Sequence, residues 1–165
     1  MSVGQEIWST VLSEFSDIPD TAEITRISLR LILAAILGGL LGYEREQKGK
    51  SAGLRTHMLV ALGAALFVLI PQQAGASIAD LTRVLQGLLA GVGFLGAGAI
   101  IMGRRQEEAR GMTTAASIWL TAAIGVAAGM GREATAVLST FLALVILYLI
   151  PKIEELIKGR ESPKE

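Results

Sequence analysis

Long apolar segments alternate along the chain with short polar stretches. A transmembrane helix needs roughly 20 predominantly apolar residues, and the third and fourth segments contain no charged residue. The pattern predicts an all-α polytopic transmembrane helix bundle with about five spans. The predicted spans are Ile24–Tyr43, Met58–Ala74, Val84–Gly103, Met112–Met130 and Ala134–Ile150, and Pro151 is expected to end the last one.

The segment before the first span, residues 1–23, predicts a separate amphipathic helix. Its apolar residues fall on one face at helical spacing, at Ile7, Trp8, Val11, Leu12 and Phe15. The segment has no basic start and carries five acidic residues, which is unlike a secretory signal. We expect this helix either to lie on the outer face of the membrane or to pack over the bundle. Residues 24–150 then form the transmembrane domain, and residues 151–165 form a short tail with both basic and acidic residues.

The basic residues in the flanks of the spans predict the orientation. Lys and Arg number 0, 4, 1, 3, 1 and 4 in the successive polar stretches, so they alternate at every crossing. Cytoplasmic loops carry the excess of basic residues. The amino terminus is therefore predicted outside and the carboxyl terminus in the cytoplasm.

Composition agrees with a membrane location and removes several classes of function. Hydrophobic residues make up 52% of the chain and the mean hydropathy is +0.54, which is too apolar for an ordinary soluble domain. The absence of Cys excludes disulfides and thiolate metal sites. No catalytic triad, paired carboxylates or phosphate loop can be assembled, so we expect no enzyme and no cofactor. Nothing in the balanced charge suggests binding to nucleic acid.

Small residues recur every four positions within the predicted spans. This spacing places them on one helix face and lets two backbones approach closely. The stripes can serve packing within one bundle, or one of them can form the seam of a homodimer. The glycines assigned to helix packing are Gly38, Gly42, Gly87, Gly91, Gly93, Gly96, Gly125 and Gly129.

The run Gly91–Gly96 matches the letters of a dinucleotide-binding fingerprint. That fingerprint needs a preceding strand and a later acidic residue. Here the run lies inside an uninterrupted apolar segment. Close helix packing, or a local break that lines a cavity, explains these glycines better.

Charged residues cluster where the first predicted span ends and the second begins. A tight antiparallel turn brings Glu44 close to Arg45 and Arg55, and their pairing would anchor the turn at the interface. The alternative makes Glu44 a cation or proton contact at the mouth of a cavity. His57 is the only histidine, and one imidazole beside one carboxylate is a poor ligand set for magnesium, so no metal site is predicted. A structural anchor or a pH-sensitive hydrogen bond suits His57 better.

The interior of the predicted spans lacks Asp and Glu, and its polar groups are mainly hydroxyls. A divalent-cation pathway normally shows intramembrane carboxylates. Arg and hydroxyl groups suit phosphate oxygens instead, so an anionic lipid headgroup or phosphate near Arg55, Arg110 and Thr113–Thr114 is our hypothesis. The candidate functional residues are Glu44, Arg45, Arg55, Thr56, His57, Arg110, Thr113, Thr114 and Ser117.

Three sequence blocks resemble the MgtC/SapB family of bacterial inner-membrane proteins. They are Gly42–Glu46 with Ala52–His57, Gly93–Gly98 and Gly111–Trp119. The resemblance covers about residues 24 to 150. It implies a role in magnesium homeostasis or in adaptation to low magnesium, exercised as a regulator through a membrane-protein partner. A transporter of magnesium or of an anion is the alternative.

Overall fold

The computed structural model describes residues 2–14, 20–101 and 110–158. Within these ranges the chain forms six helices, named here α1 (Val3–Glu14), α2 (Thr21–Gln47), α3 (Leu54–Gln73), α4 (Ile78–Ile101), α5 (Arg110–Gly129) and α6 (Glu133–Lys158). Helices α2 to α6 are all long and apolar enough to cross a membrane. The predicted all-helical chain with five spans is confirmed. The orientation across the membrane stays a prediction.

Successive spans run in opposite directions. The end of α2, the start of α5 and the end of α6 meet around one cavity next to the loop 48–53, and this side of the bundle is called the basic end. At the other side, called the far end, Arg30 of α2 reaches Gly129 at the end of α5 and Glu133 at the start of α6.

Helix α3 packs against both α2 and α5, and small residues make both contacts close. A Cβ added at Gly38 would lie 2.6 Å from the His57 carbonyl oxygen, and one at Gly129 would lie 2.6 Å from that of Ala65. Gly42 and Gly125 are similarly crowded, by Leu54 and Ala61 respectively. Here two stripes of small residues, one on α2 and one on α5, serve packing within one copy of the chain.

The glycines of α4 differ from those of α2 and α5. Gly96 makes ordinary contact with Ala115, but an added Cβ at Gly87, Gly91 or Gly93 would meet nothing within 4 Å among the described residues. The prediction that these three glycines serve helix packing is therefore not met within one copy. The physical reason is that α4 is the least buried of the five spans, with 11% of its most apolar window covered.

The prediction that Pro151 ends the last span is wrong, because α6 continues through it to Lys158. Proline removes one N–H donor but leaves the backbone angles compatible with a helix. The apolar positions Ile150, Ile153 and Ile157 continue at spacings of three and four, as a helix requires. The tail residues beyond 158 lie outside the described residues.

Helix α1 lies within the predicted segment 1–23 but is shorter than it, and both Ile7 and Trp8 on its apolar face are exposed. Phe15, predicted on the same face, lies outside the described residues. It packs against none of the other described helices. Of the two predicted placements, this arrangement favours the membrane surface over packing on the bundle.

Candidate functional site

A short turn between α2 and α3 holds the charged residues of the basic end. Gly49 adopts a positive φ of 63° that reverses the chain. The Glu46 carboxylate then accepts a hydrogen bond of 2.8 Å from the Leu54 backbone N–H, at the start of α3. A carboxylate at this position satisfies a free N–H group and opposes the positive end of the helix dipole.

Glu44 and Arg45 form the buried ion pair of this end. The Arg45 guanidinium donates from Nε and Nη2 to Oε2 of Glu44, and the Arg45 side chain is only 4% exposed. The other carboxylate oxygen of Glu44, Oε1, is buried without a hydrogen-bond partner among the described residues. From the sequence, either Arg45 or Arg55 was the expected partner of Glu44. The structure pairs Glu44 with Arg45, while Arg55 is exposed.

His57 connects α3 to α5 through a chain of hydrogen bonds in the core. Its Nδ1 lies 2.9 Å from the Gly53 carbonyl oxygen, and its Nε2 lies 3.1 Å from the Ser117 hydroxyl. A carbonyl oxygen only accepts, so Nδ1 carries a proton. Ser117 in turn lies 2.8 Å from the Thr114 carbonyl oxygen. Both ring nitrogens thus lie within hydrogen-bond distance of a partner, an arrangement that fits a structural anchor; the role of His57 stays a prediction.

A cavity of about 560 Å³ opens at the basic end between α2, α5 and α6. Glu44 and Arg45 line it on one side, and Thr113, in the first turn of α5, lines it on another. These three are the predicted site residues that the structure brings together in one cavity. Its remaining charged lining residues are Lys48, Lys50, Glu154 and Glu155.

The other predicted site residues do not line this cavity. Arg55 and Thr56 are exposed at the start of α3, whereas Thr114 and Ser117 are buried between helices. Arg110 is the first residue of α5, and its side chain lies outside the described residues. Arg104 and Arg105, counted in the predicted orientation, lie there too.

Sequence reasoning missed Glu154 and Glu155 as site residues. Both were assigned to a tail because Pro151 was expected to end the helix. The continuing helix carries them back over the cavity. The apolar spacing of three and four beyond Pro151 was the available signal. Lys48 and Lys50 contributed only to the predicted orientation, since nothing in their spacing indicates which way they point.

Arg30 holds the far end together. Its Nη1 donates to the Gly129 carbonyl oxygen at 3.1 Å, and its Nε lies 3.6 Å from a carboxylate oxygen of Glu133. A cation at the carboxyl end of α5 is favoured by the helix dipole. This arrangement joins three spans and is a structural anchor of the far end.

A second cavity lies between α3 and α4 and is almost entirely apolar. Its volume is about 700 Å³, and Gly63, Gly87 and Gly91 form part of its wall. Phe67 and Leu95 are among its larger lining residues. The cavity is called the α3–α4 groove below. The letters of the dinucleotide fingerprint fall in the middle of continuous α4, so the strand that such a site needs is replaced by a helix.

Comparison with known proteins gives the family. The sequence profile of the MgtC family matches residues 31–156. Protein SrpB of Synechococcus elongatus is 42% identical over 147 residues, covering 82% of this chain and 81% of SrpB. YhiD of Escherichia coli K12, named as a candidate magnesium transporter, is 41% identical over 126 residues, or 72% of this chain and 58% of YhiD.

Protein MgtC of Salmonella typhimurium is 40% identical over 116 residues. The match covers 70% of this chain and 48% of that protein, so the chain spans only about half of its length. No solved structure matches the chain. The profile match and these identities establish that this five-span chain belongs to the MgtC family of membrane proteins.

Proposed function

We propose that the chain is a bacterial inner-membrane protein that acts in magnesium homeostasis or adaptation to low magnesium, as a non-enzymatic regulator working through a membrane partner. The magnesium link comes from one relative, YhiD, which is named as a candidate magnesium transporter. The observation that carries the regulatory role is the open face of α4. Gly87 and Gly91 lie four residues apart on this face and leave room for another helix to approach closely.

The α3–α4 groove has the features of a surface for a partner's transmembrane helix. Gly63, Gly87 and Gly91 leave open space beside them. Small residues in bilayer spans let another helix approach closely, which is how helices associate where no hydrophobic force drives them together. The groove offers almost no polar group, so a hydrated pathway along it is unfavourable.

The buried hydroxyls of the core disfavour transport of an anion, one of the two alternatives to regulation. Thr121 donates to the Ser117 carbonyl oxygen at 2.8 Å, and Thr140 donates to that of Ala136 at 2.9 Å. Each of these bonds lies within one helix. The hydroxyl hydrogens are therefore already used within the helix and are not available to bind an anion, whereas the oxygen lone pairs are not consumed.

The test is growth at limiting magnesium of a strain that lacks its own family member and carries this chain. Gly91→Leu places a large side chain in the groove without a clash, because an added Cβ there meets nothing within 4 Å. We expect this variant to lose the growth support of the wild type. Gly93→Leu is the matched control, since Gly93 is equally open but does not line the groove. Full support from both variants at equal protein levels would contradict the proposal.

Transport of magnesium or an anion is the second candidate. Two observations favour transport: the charged cavity at the basic end, and the naming of YhiD as a candidate magnesium transporter. A transporter requires a polar route that continues to the far end. Magnesium or phosphate uptake into sealed proteoliposomes distinguishes this candidate from the regulator.

A further inference from the structure

The cavity at the basic end combines buried charge with an apolar wall at the ends of three spans. Ile146 and Ile150 of α6 form its apolar side and are about half exposed. The charged residues lie toward the helix ends. Such a cavity, polar at one side and open to the bilayer along the other, has the form of a site for a lipid headgroup with its chains lying on α6.

The charges on the described lining residues of the cavity are balanced. Its cationic lining residues are Arg45, Lys48 and Lys50, and its carboxylates are Glu44, Glu154 and Glu155. The three positive groups are thus matched by three negative ones, which disfavours a ligand that carries only negative charge. A ligand with one anionic and one cationic group can contact both sets.

The anionic group has donors on two helices. The described bonds of Arg45 use Nε and Nη2, which leaves Nη1 for a ligand oxygen. Thr113 of α5 lines the cavity, and its hydroxyl can donate a hydrogen bond. A phosphate oxygen fits both kinds of donor.

The cationic group must itself donate a hydrogen bond. Oε1 of Glu44 is buried and has no donor among the described residues, and a buried carboxylate oxygen strongly favours one. A primary ammonium has three N–H donors, whereas a quaternary ammonium has none. Quaternary ammonium groups are held instead by aromatic rings, and no aromatic side chain is among the described lining residues of this cavity.

We propose that this cavity binds the phosphoethanolamine headgroup of a phospholipid, with the phosphate at Arg45 and Thr113 and the primary ammonium at Glu44. The site is separate from the α3–α4 groove, so the test of this proposal does not depend on the proposed regulatory function. It also changes the hypothesis from the sequence, which expected an anion near Arg55, Arg110 and Thr113–Thr114: Thr113 is kept, and Arg45 takes the place of Arg55.

The first test uses the unmodified full chain, so that loss of folding cannot explain the result. Native mass spectrometry compares binding of phosphatidylethanolamine with its N-methyl, N,N-dimethyl and choline forms, all with the same acyl chains. We expect the ethanolamine, N-methyl and N,N-dimethyl lipids to bind with similar affinity, because each keeps at least one N–H donor. The choline lipid has none, and its affinity should be roughly tenfold lower, the loss expected for one strong hydrogen bond. A smooth decline, or equal binding of the choline lipid, would overturn the proposal.

Further ligands separate the sources of the headgroup chemistry. Phosphatidylglycerol with the same chains should bind more weakly than phosphatidylethanolamine, and stronger binding would identify an anion site instead. Inorganic phosphate should not displace the ethanolamine lipid. Displacement by phosphate would show that the cavity takes a free anion and would also overturn the proposal.

Two variants, together with one control variant, test whether the lipid binds in this cavity. Glu44→Gln removes the charged acceptor, and it should abolish the preference for the ethanolamine over the choline lipid. Glu46→Gln is the control, because Glu46 lies on the same helix end but outside the cavity, and its Gln can still accept from the Leu54 N–H. Thr113→Val should weaken both lipids and leave the Glu44–Arg45 pair intact. An unchanged preference in folded Glu44→Gln would place the lipid elsewhere and contradict the assignment.

Discussion

Replacing Gly38 by alanine tests whether α2 and α3 are held together by backbone proximity. An added Cβ at this position would lie 2.6 Å from the His57 carbonyl oxygen and 2.8 Å from the Ala61 Cβ. Ordinary contacts begin at 3.4 Å. The helices would therefore have to separate by about 0.8 Å, a gap that forfeits a quarter to a half of the dispersion energy of each affected contact.

The expected magnitude is the difference of two effects. Overpacking of a tight core costs about 1–3 kcal/mol. Alanine favours a helix over glycine by about 1 kcal/mol, which offsets part of that cost. We therefore expect Gly38→Ala to lower the free energy of unfolding by up to about 2 kcal/mol, and to be about 1–3 kcal/mol less stable than an open Gly→Ala control.

The assay is unfolding of the purified chain in mixed micelles of mild detergent and SDS, followed by helix content. Gly63→Ala on α3 is the matched control, because an added Cβ there meets nothing within 4 Å. The control should be as stable as the wild type or up to about 1 kcal/mol more stable. A Gly38→Ala protein as stable as Gly63→Ala would refute the close packing of α2 on α3.

Three further substitutions test other contacts by the same unfolding assay. Ser117→Ala leaves the buried Nε2 of His57 without its partner, and a loss of about 1–3 kcal/mol is expected. No loss would mean that this hydrogen bond contributes nothing. Arg30→Met removes the hydrogen bond to the Gly129 carbonyl oxygen and should lower the free energy of unfolding by about 1–2 kcal/mol. This loss should be smaller at high salt. An unchanged stability would contradict the role of Arg30 as an anchor at the far end. Pro151→Ala should raise stability and helix content, because proline interrupts the bonding of a helix that continues past it. A decrease would show that the proline is required.

The spans were predictable because bilayer crossing imposes a length and composition that can be seen in the sequence. The spacing of small residues predicted the contacts of Gly38 and Gly125 as well. The role of Gly91 was not predictable, since spacing identifies a helix face but not what covers that face. Here the neighbouring helix α3 leaves it open.

The candidate site was predicted only in part. Glu44 and Arg45 were identified because charges at a helix end are conspicuous beside an apolar span. Which arginine pairs with Glu44 depends on the path of the turn, and sequence proximity alone could not decide it. Glu155 was missed because proline was treated as a helix end, although proline can be accommodated within a helix where its lost bond is tolerated.

The central claim is that this chain regulates through a partner and does not itself carry magnesium. The most direct measurement is magnesium uptake into sealed proteoliposomes that contain the purified chain, compared with Glu44→Ala and with empty vesicles. Our account predicts uptake no faster than in empty vesicles for either protein. Saturable uptake by the wild type that is lost in Glu44→Ala would contradict the account and make the chain a transporter.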